Sequence, residues 1–213
     1  MFDATLRPLI DPPLRQAALR VYNTGATPNQ VTLGGLGLGL LAVPFLWAEV
    51  YWLALLLILL NRISDGLDGA LARIWAERGR ETSTYGGFLD ISCDFIFYAA
   101  IPLGFALADP GANALAAAFL LATFICTGTS FLAFAILAEQ HGWETQARGR
   151  KSFYYIGGLA EGTETIAVFV LLCLLPTWFP WVALVYGLIC IATVFVRFLE
   201  VRDRIIDPDQ TSP

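Results

Sequence analysis

This chain predicts an all-α membrane protein with six transmembrane helices, and composition, hydropathy pattern and charge placement each point to it. Of its 213 residues, 57% are hydrophobic and 15% charged, and a mean hydropathy of +0.64 lies outside the range of ordinary soluble domains. Six apolar stretches are long enough to span a bilayer as helices, at about 30–49, 51–72, 86–108, 112–138, 157–176 and 180–199. Arg7, Arg15 and Arg20 precede span one, and Arg73, Arg78 and Arg80 close span two. Arg148, Arg150 and Lys151 lie between spans four and five, and Arg197, Arg202 and Arg204 close span six. The alternate turns, near Glu49, Asp109 and Pro176 to Pro180, hold no Lys or Arg, so both termini are expected on the cytoplasmic side. Arg62 is the one remaining cation, and it lies within span two.

Ahead of span one, Pro12 and Pro13 are expected to start a short amphipathic helix. Leu14, Ala17, Ala18, Val21 and Tyr22 share one face of it, and Arg15, Gln16, Arg20 and Asn23 lie elsewhere, which suits a helix lying in the membrane interface. The segment reads as ordinary polar and amphipathic sequence rather than as a signal peptide. Thr27, Pro28 and Asn29 then read as a helix start, with a capping hydroxyl and a proline at the first helical position.

Span one carries Gly34, Gly35, Gly37 and Gly39, of which Gly35 and Gly39 make a G-x-x-x-G pair suited to close helix packing. Short turns predict that spans one and two, three and four, and five and six pack as antiparallel hairpins. The longer polar segments, 75–84 and 139–152, do not read as separate domains. Residues 1–213 are therefore expected to form a single membrane domain. Cys93, Cys126, Cys173 and Cys190 show no metal-ligand spacing and read as packing residues. His141 reads as a solvated loop residue, and Glu77, Arg78, Arg80 and Glu81 as a solvated turn.

Aspartates interrupt the apolar pattern. Between residues 65 and 94 the chain writes D-G-L-D-G-A-L-A-R, twelve further residues, and G-G-F-L-D-I-S-C-D. At 100° per residue Asp65, Asp68, Gly69, Ala72 and Arg73 share one helix face, and Ser83, Gly86, Asp90 and Asp94 share a face of the next. A lone Asp at the centre of a membrane helix costs roughly 2.5–3.5 kcal/mol on insertion scales, so the set needs positive compensation on the order of 10 kcal/mol. Carboxylates without His or Cys partners are hard oxygen ligands, suited to Mg²⁺, Mn²⁺ or Ca²⁺ rather than zinc or copper. Arg73 is suited to a phosphate, and Gly69 and Gly86 leave room for one to approach the backbone. These parts describe metal-assisted phosphoryl transfer.

The pattern Asp65-x-x-Asp68-Gly69-x-x-Ala72-Arg73, followed by Gly86-x-x-x-Asp90-x-x-x-Asp94, resembles the signature of the CDP-alcohol phosphotransferases. The resemblance covers nearly the whole chain, and it extends to a branch of bacterial inner-membrane proteins carrying K-S-F-Y-Y and E-G-T-E-T runs. It implies a six-helix protein of the bacterial inner membrane, usually a homodimer, with its site facing the cytoplasm and no nucleic-acid partner. It further implies one or two Mg²⁺ or Mn²⁺ ions on Asp65, Asp68, Asp90 and Asp94, with Asp94 also the general base. Contacts to CDP are implied for Pro28, Asn29, Gly69, Arg73, Ser83 and Gly86. The reaction implied is attack by an acceptor hydroxyl on the lipid-side phosphorus of a CDP-linked donor such as CDP-diacylglycerol, with CMP leaving. The twelve-residue spacer exceeds the family's usual eight or nine and bears on the Ser83 assignment.

The acceptor is less legible. In the inositol-phosphate branch of the family, basic residues near the end of span four and an E-R-x-E-R run in span five resemble a phosphate pocket. Here Ala133 and Ala135 stand at comparable positions and Glu161-Gly162-Thr163-Glu164-Thr165 lacks the arginines, which weakens that reading. Arg148, Arg150 and Lys151, with Glu161 and Glu164, are the acceptor-binding candidates, against a plainer reading of the basic run as an orientation signal or lipid contact. Two other functions compete: a transporter or metal-ion channel, and a catalytically silent relative that binds lipid. Clustering of the acids toward one membrane side, with no inverted half, argues against transport.

Overall fold

The computed structural model describes residues 3–80, 84–143, 160 and 162–206. Among the described residues seven α-helices follow in order: α1 (Asp3–Asn23), α2 (Pro28–Trp47), α3 (Tyr51–Glu77), α4 (Thr84–Ala108), α5 (Pro110–His141), α6 (Gly162–Leu174) and α7 (Phe179–Ile206), with a 3₁₀ turn at Pro176–Trp178 before the last. No strand occurs among the described residues. Helices α2, α4, α5 and the segment Pro176–Ile206 are long and apolar enough to cross a membrane, and α6 is a shorter apolar helix. Helix α3 has the length, at 27 residues, but Arg62, Asp65 and Asp68 interrupt its apolar run. The charged residues of the aspartate motif are thus what set α3 apart from its neighbours.

Turn chemistry follows the sequence at several places. Thr27 caps α2 in a capping box: its side chain accepts from the Gln30 N–H at 3.3 Å, and the Thr27 N–H donates to Gln30 Oε1 at 3.0 Å. Asp109 alone separates α4 from α5, and its carboxylate accepts from the Ala112 N–H at 3.0 Å. Gly142, at φ +62°, closes α5 in the left-handed region that favours glycine. His141 is the last residue of α5, with Nδ1 2.9 Å from the Leu137 carbonyl and its ring stacked on Trp143. Cys93, Cys173 and Cys190 are buried packing residues, whereas Cys126 is exposed.

The core runs along the bundle. Leu46, Ile58, Phe97, Ile101, Phe105, Leu120, Phe169, Leu172 and Phe179 are fully buried there. Helix α2 packs against both α3 and α4, and α5 against α4 and α7. The turn joining α6 to α7 is short, as expected, but the broader contact of α6 is with α3 rather than α7. Pro176 opens the 3₁₀ turn between them.

The N-terminal helix departs from expectation in length and in what it covers. It runs from Asp3 through Pro12 and Pro13 instead of starting there. Its apolar face, with Ala18 fully buried, packs on Ala70, Leu71 and Ile74 at the C-terminal end of α3. Arg15 donates through Nη1 and Nη2 to Glu77 at 2.9 and 2.8 Å. The Arg78 and Arg80 guanidinium carbons lie 4.4 and 5.2 Å from the Tyr22 ring centroid. The turn after α3 is exposed, as the sequence suggests, yet it also anchors α1, by contacts each worth about 0–1 kcal/mol at a surface. Gly66, inside the aspartate motif, makes room for this docking, since a Cβ there would sit 3.1 Å from Leu14 Cδ2.

Glycines divide into those that pack and those that do not. A Cβ at Gly104 of α4 would lie 2.7 Å from Leu46 Cδ1 and 2.9 Å from Leu46 Cβ, whereas one at Gly37 meets nothing within 4 Å. Gly104→Ala is therefore expected to destabilise the bundle by about 1–3 kcal/mol, and Gly37→Ala to be neutral or slightly stabilising. Thermal unfolding midpoints in one detergent check this, and equal midpoints for the two variants would contradict the packing assignment.

Candidate active site

Helices α2, α3 and α4 build the site, and the two glycines of the G-x-x-x-G pair set its geometry. A Cβ at Gly35 would stand 2.7 Å from Ser64 Cβ, and one at Gly39 would stand 2.6 Å from Phe97 Cδ2 and 3.0 Å from Asn61 Nδ2. Gly34 and Gly37 face open space. Without those side chains α2 lies close enough to α3 for two polar ties. Thr32 Oγ1 donates to Asp68 Oδ2 at 2.5 Å, and Asn61 Nδ2 donates to the Gly35 carbonyl at 2.8 Å.

Asp65, Asp68 and Asp90 each offer a carboxylate oxygen within 4.8 Å of the others. Two helix faces thus converge, as their spacing permits. Exposure is graded across the three: Asp68 is buried, Asp65 half-buried and Asp90 exposed. Such an all-oxygen set fits a hard divalent cation, and its open edge leaves room for water or phosphate oxygens.

Asp94, one turn beyond Asp90, is turned to a protein cation. Arg62 Nη1 donates to Asp94 Oδ1 at 2.8 Å and lies 3.8 Å from Asp65 Oδ2. Arg62 Nε donates to Asn61 Oδ1 at 2.8 Å, and the guanidinium carbon stands 4.5 Å from the Phe97 ring centroid and 5.6 Å from that of Tyr98. A cleft lined by Thr32, Gly35, Asn61, Arg62, Asp65, Asp68, Cys93 and Asp94 opens between the three helices.

The structure brings several nucleotide candidates to this cleft's edge. Asn29 and Gly86 are adjacent, a Cβ at 86 falling 3.2 Å from Asn29 Oδ1, with Pro28 beside Asn29 at the start of α2. Gly69 is open, the nearest side-chain atom to a Cβ there being Arg73 Nη1 at 3.9 Å. Arg73 is exposed and 3.9 Å from Asp11 of α1. Ser83, Arg148, Arg150, Lys151 and Glu161 lie outside the described residues. Glu164 is in the first turn of α6, where the helix dipole favours a carboxylate.

Four residues were not singled out from sequence as functional. Thr32, Asn61 and Arg62 support the carboxylates directly or through one another. Arg197, read from sequence as an orientation signal, is buried in α7 and donates from Nη1 to the Thr127 carbonyl at 2.9 Å and to Ser130 Oγ at 2.6 Å. It lies near the level of Asp94, because a Cβ at Gly128, next to Thr127, would meet the Phe95 ring at 2.5 Å. A cation within an apolar span is the signal that marks both arginines.

Comparison with known proteins shows the family and the fold. The chain is 53% identical over 197 residues to the inner membrane protein YnjF of Escherichia coli, covering 92% of this chain and 93% of that one. It is 35% identical over 102 residues to an archaetidylinositol phosphate synthase of Pyrococcus horikoshii, covering 48% of this chain and 52% of that one. The fold is that of the phosphatidylinositol phosphate synthase PgsA1 of Mycobacterium tuberculosis. Its CDP-DAG-bound structure superposes with a TM-score of 0.63 at 23% identity, over 96% of this chain and 98% of that one. Its complex with manganese and citrate gives 0.65 at 22% identity, over 96% and 93%. The CDP-alcohol phosphatidyltransferase pattern matches residues 25–197, the span that holds every helix of the cleft, and the chain belongs to that family.

Proposed function

We propose that this chain transfers a phosphatidyl group from a CDP-linked lipid such as CDP-diacylglycerol to the hydroxyl of an alcohol, releasing CMP, in phospholipid synthesis. The observation that carries this reading is the convergence of Asp65, Asp68 and Asp90 within 4.8 Å, beside Asp94, in a chain of this family. The bond from acceptor oxygen to the lipid-side phosphorus forms as the bond from that phosphorus to the CMP phosphate oxygen breaks. Asp94 takes the hydroxyl proton, and CMP carries off the electron pair. Asp65, Asp68 and Asp90 fit a Mg²⁺ or Mn²⁺ ion, which when bound supplies positive charge at the pyrophosphate oxygens. Pro28, Asn29, Gly69, Arg73, Ser83 and Gly86 form the nucleotide side, where small residues admit the phosphates and Arg73 pairs with one of them.

The acceptor is assigned to Arg148, Arg150, Lys151, Glu161 and Glu164. The buried Arg197 supports an anionic or polyol acceptor there, since it already brings a positive charge into the bundle. We also read the protein as a homodimer of the bacterial inner membrane with the cleft facing the cytoplasm. The inner-membrane relative supports the location, and the one-sided placement of the cations supports the orientation.

Purified protein with Mn²⁺ or Mg²⁺ and CDP-diacylglycerol is expected to release CMP with at least one member of an alcohol panel. The panel includes glycerol phosphate, serine and inositol phosphate, the last because of the archaeal relative. No turnover with any acceptor, and no metal-dependent CDP binding, would overturn the enzymatic reading. Asp94→Asn should lower CMP release by about 10²- to 10⁴-fold, the range for a lost general base, while CDP affinity by calorimetry stays nearly unchanged. Unaltered turnover in that variant rejects Asp94 as the base. Arg150→Ala and Lys151→Ala should raise KM for the acceptor more than KM for the donor, and the opposite order would move these residues to the donor side.

A further inference from the structure

Arg62 is a fixed cation inside the acidic cluster, and the chain builds a separate holder for it. Its Nε donates to Asn61 Oδ1, Asn61 is tied in turn to the Gly35 carbonyl, and the guanidinium lies over the rings of Phe97 and Tyr98. Phe97 is fully buried and Arg62 itself only 16% exposed, so these contacts constrain the group whether or not Asp94 is present. A guanidinium keeps its charge at all working pH values, and its rigid planar fork presents donors to an amide oxygen and a carboxylate in fixed directions. From this position Nη1 reaches Asp94 at 2.8 Å and Asp65 at 3.8 Å. Asp94 is absent from the group of carboxylates that converge within 4.8 Å.

We propose that Arg62 is the resident counter-cation of the fourth aspartate, orienting Asp94 and occupying the place beside Asp65 and Asp94 where a second metal ion would otherwise be required. The site then holds a single divalent ion on Asp65, Asp68 and Asp90. Arg62 is a positioning residue in this scheme, since it acts through Asp94. The inference rests on the proposed assignment of the three converging aspartates as metal ligands, and it narrows the metal content to one ion.

Mn²⁺ binding to the purified full-length protein in detergent tests it without reference to turnover, by counting bound ions through electron paramagnetic resonance of free Mn²⁺. The wild-type chain should bind one ion per chain. Two ions per chain would overturn the Arg62 inference and leave the metal site standing, whereas none would overturn both. Asp94→Asn should leave the Mn²⁺ dissociation constant within about threefold, because Asp94 faces Arg62 and not the ion, while Asp90→Asn should raise it by more than the roughly 10- to 100-fold typical of an outer group, as expected for loss of a direct ligand. Equal weakening by the two variants would place Asp94 on the metal and overturn the inference. Arg62→Met should open a second, weaker Mn²⁺ site, and Arg62→Lys should not. A folded Arg62→Met protein that still binds one ion would reduce Arg62 to a packing role. Should that variant fail to fold, the wild-type count and the Asp94→Asn comparison decide the matter.

Discussion

Everything at the site depends on how closely α2 approaches α3 and α4. Gly35 and Gly39 permit that approach, because a Cβ at either position would overlap Ser64 or Phe97 at under 3 Å. The consequence is chemical as well as steric. Thr32, three residues before Gly35, comes within hydrogen-bonding distance of Asp68, and Asn61 reaches the Gly35 carbonyl. Asn61 then holds Arg62, and Arg62 holds Asp94. A packing motif in one helix therefore fixes the orientation of carboxylates on two others. Adding a methyl group at Gly35 or Gly39 would separate helices and misplace acids together, so stability and chemistry cannot be varied independently there.

Electrostatics explains why the ties are needed. Acids within membrane helices are unfavourable by several kcal/mol each unless paired, and here the compensation is divided. The deep carboxylate, Asp68, accepts from a hydroxyl, and Asp94 accepts from a guanidinium. Asp65 lies near that same guanidinium but also belongs to the converging group with Asp68 and Asp90. The fold thus supplies permanent partners at the inner side of the cluster, while Asp90 is exposed on the side from which an exchangeable ion and phosphate can arrive from water.

Much of this was legible in the sequence, for identifiable reasons. Apolar length located the helices, since a segment buried in lipid leaves a long hydrophobic run whatever its neighbours do. Helical periodicity placed Asp65 with Asp68 and Asp90 with Asp94, because it fixes relative angles within one helix. It does not fix the rotation of one helix against another, so Thr32, Asn61 and Arg62 could not be assigned as partners of particular carboxylates. Arg197 was hidden by a different ambiguity: a cation near a helix end satisfies the orientation rule whether it lies in water or, as here, in the bundle. The extent of α1 was missed because Pro12 and Pro13 read as a start signal. The apolar face of Ala18 and its neighbours instead docks on α3 and supports a helix that continues through them.

The docking of α1 also bears on how a lipid-linked nucleotide meets the site. Its residues Leu14 to Tyr22 cover the end of α3 that follows the aspartates, and Gly66 lets Leu14 sit directly against the motif. Asp11 lies 3.9 Å from Arg73, an exposed pair that screening by water makes weak and easily exchanged. A phosphate reaching Arg73 would replace an aspartate carboxylate with a better bidentate partner, at little cost to the packing of α1. The apolar half of α1 can remain seated on Ala70, Leu71 and Ile74 while its acidic end yields the arginine. On the proposed assignment of Arg73 to the nucleotide, binding exchanges a surface ion pair and leaves the helix in place.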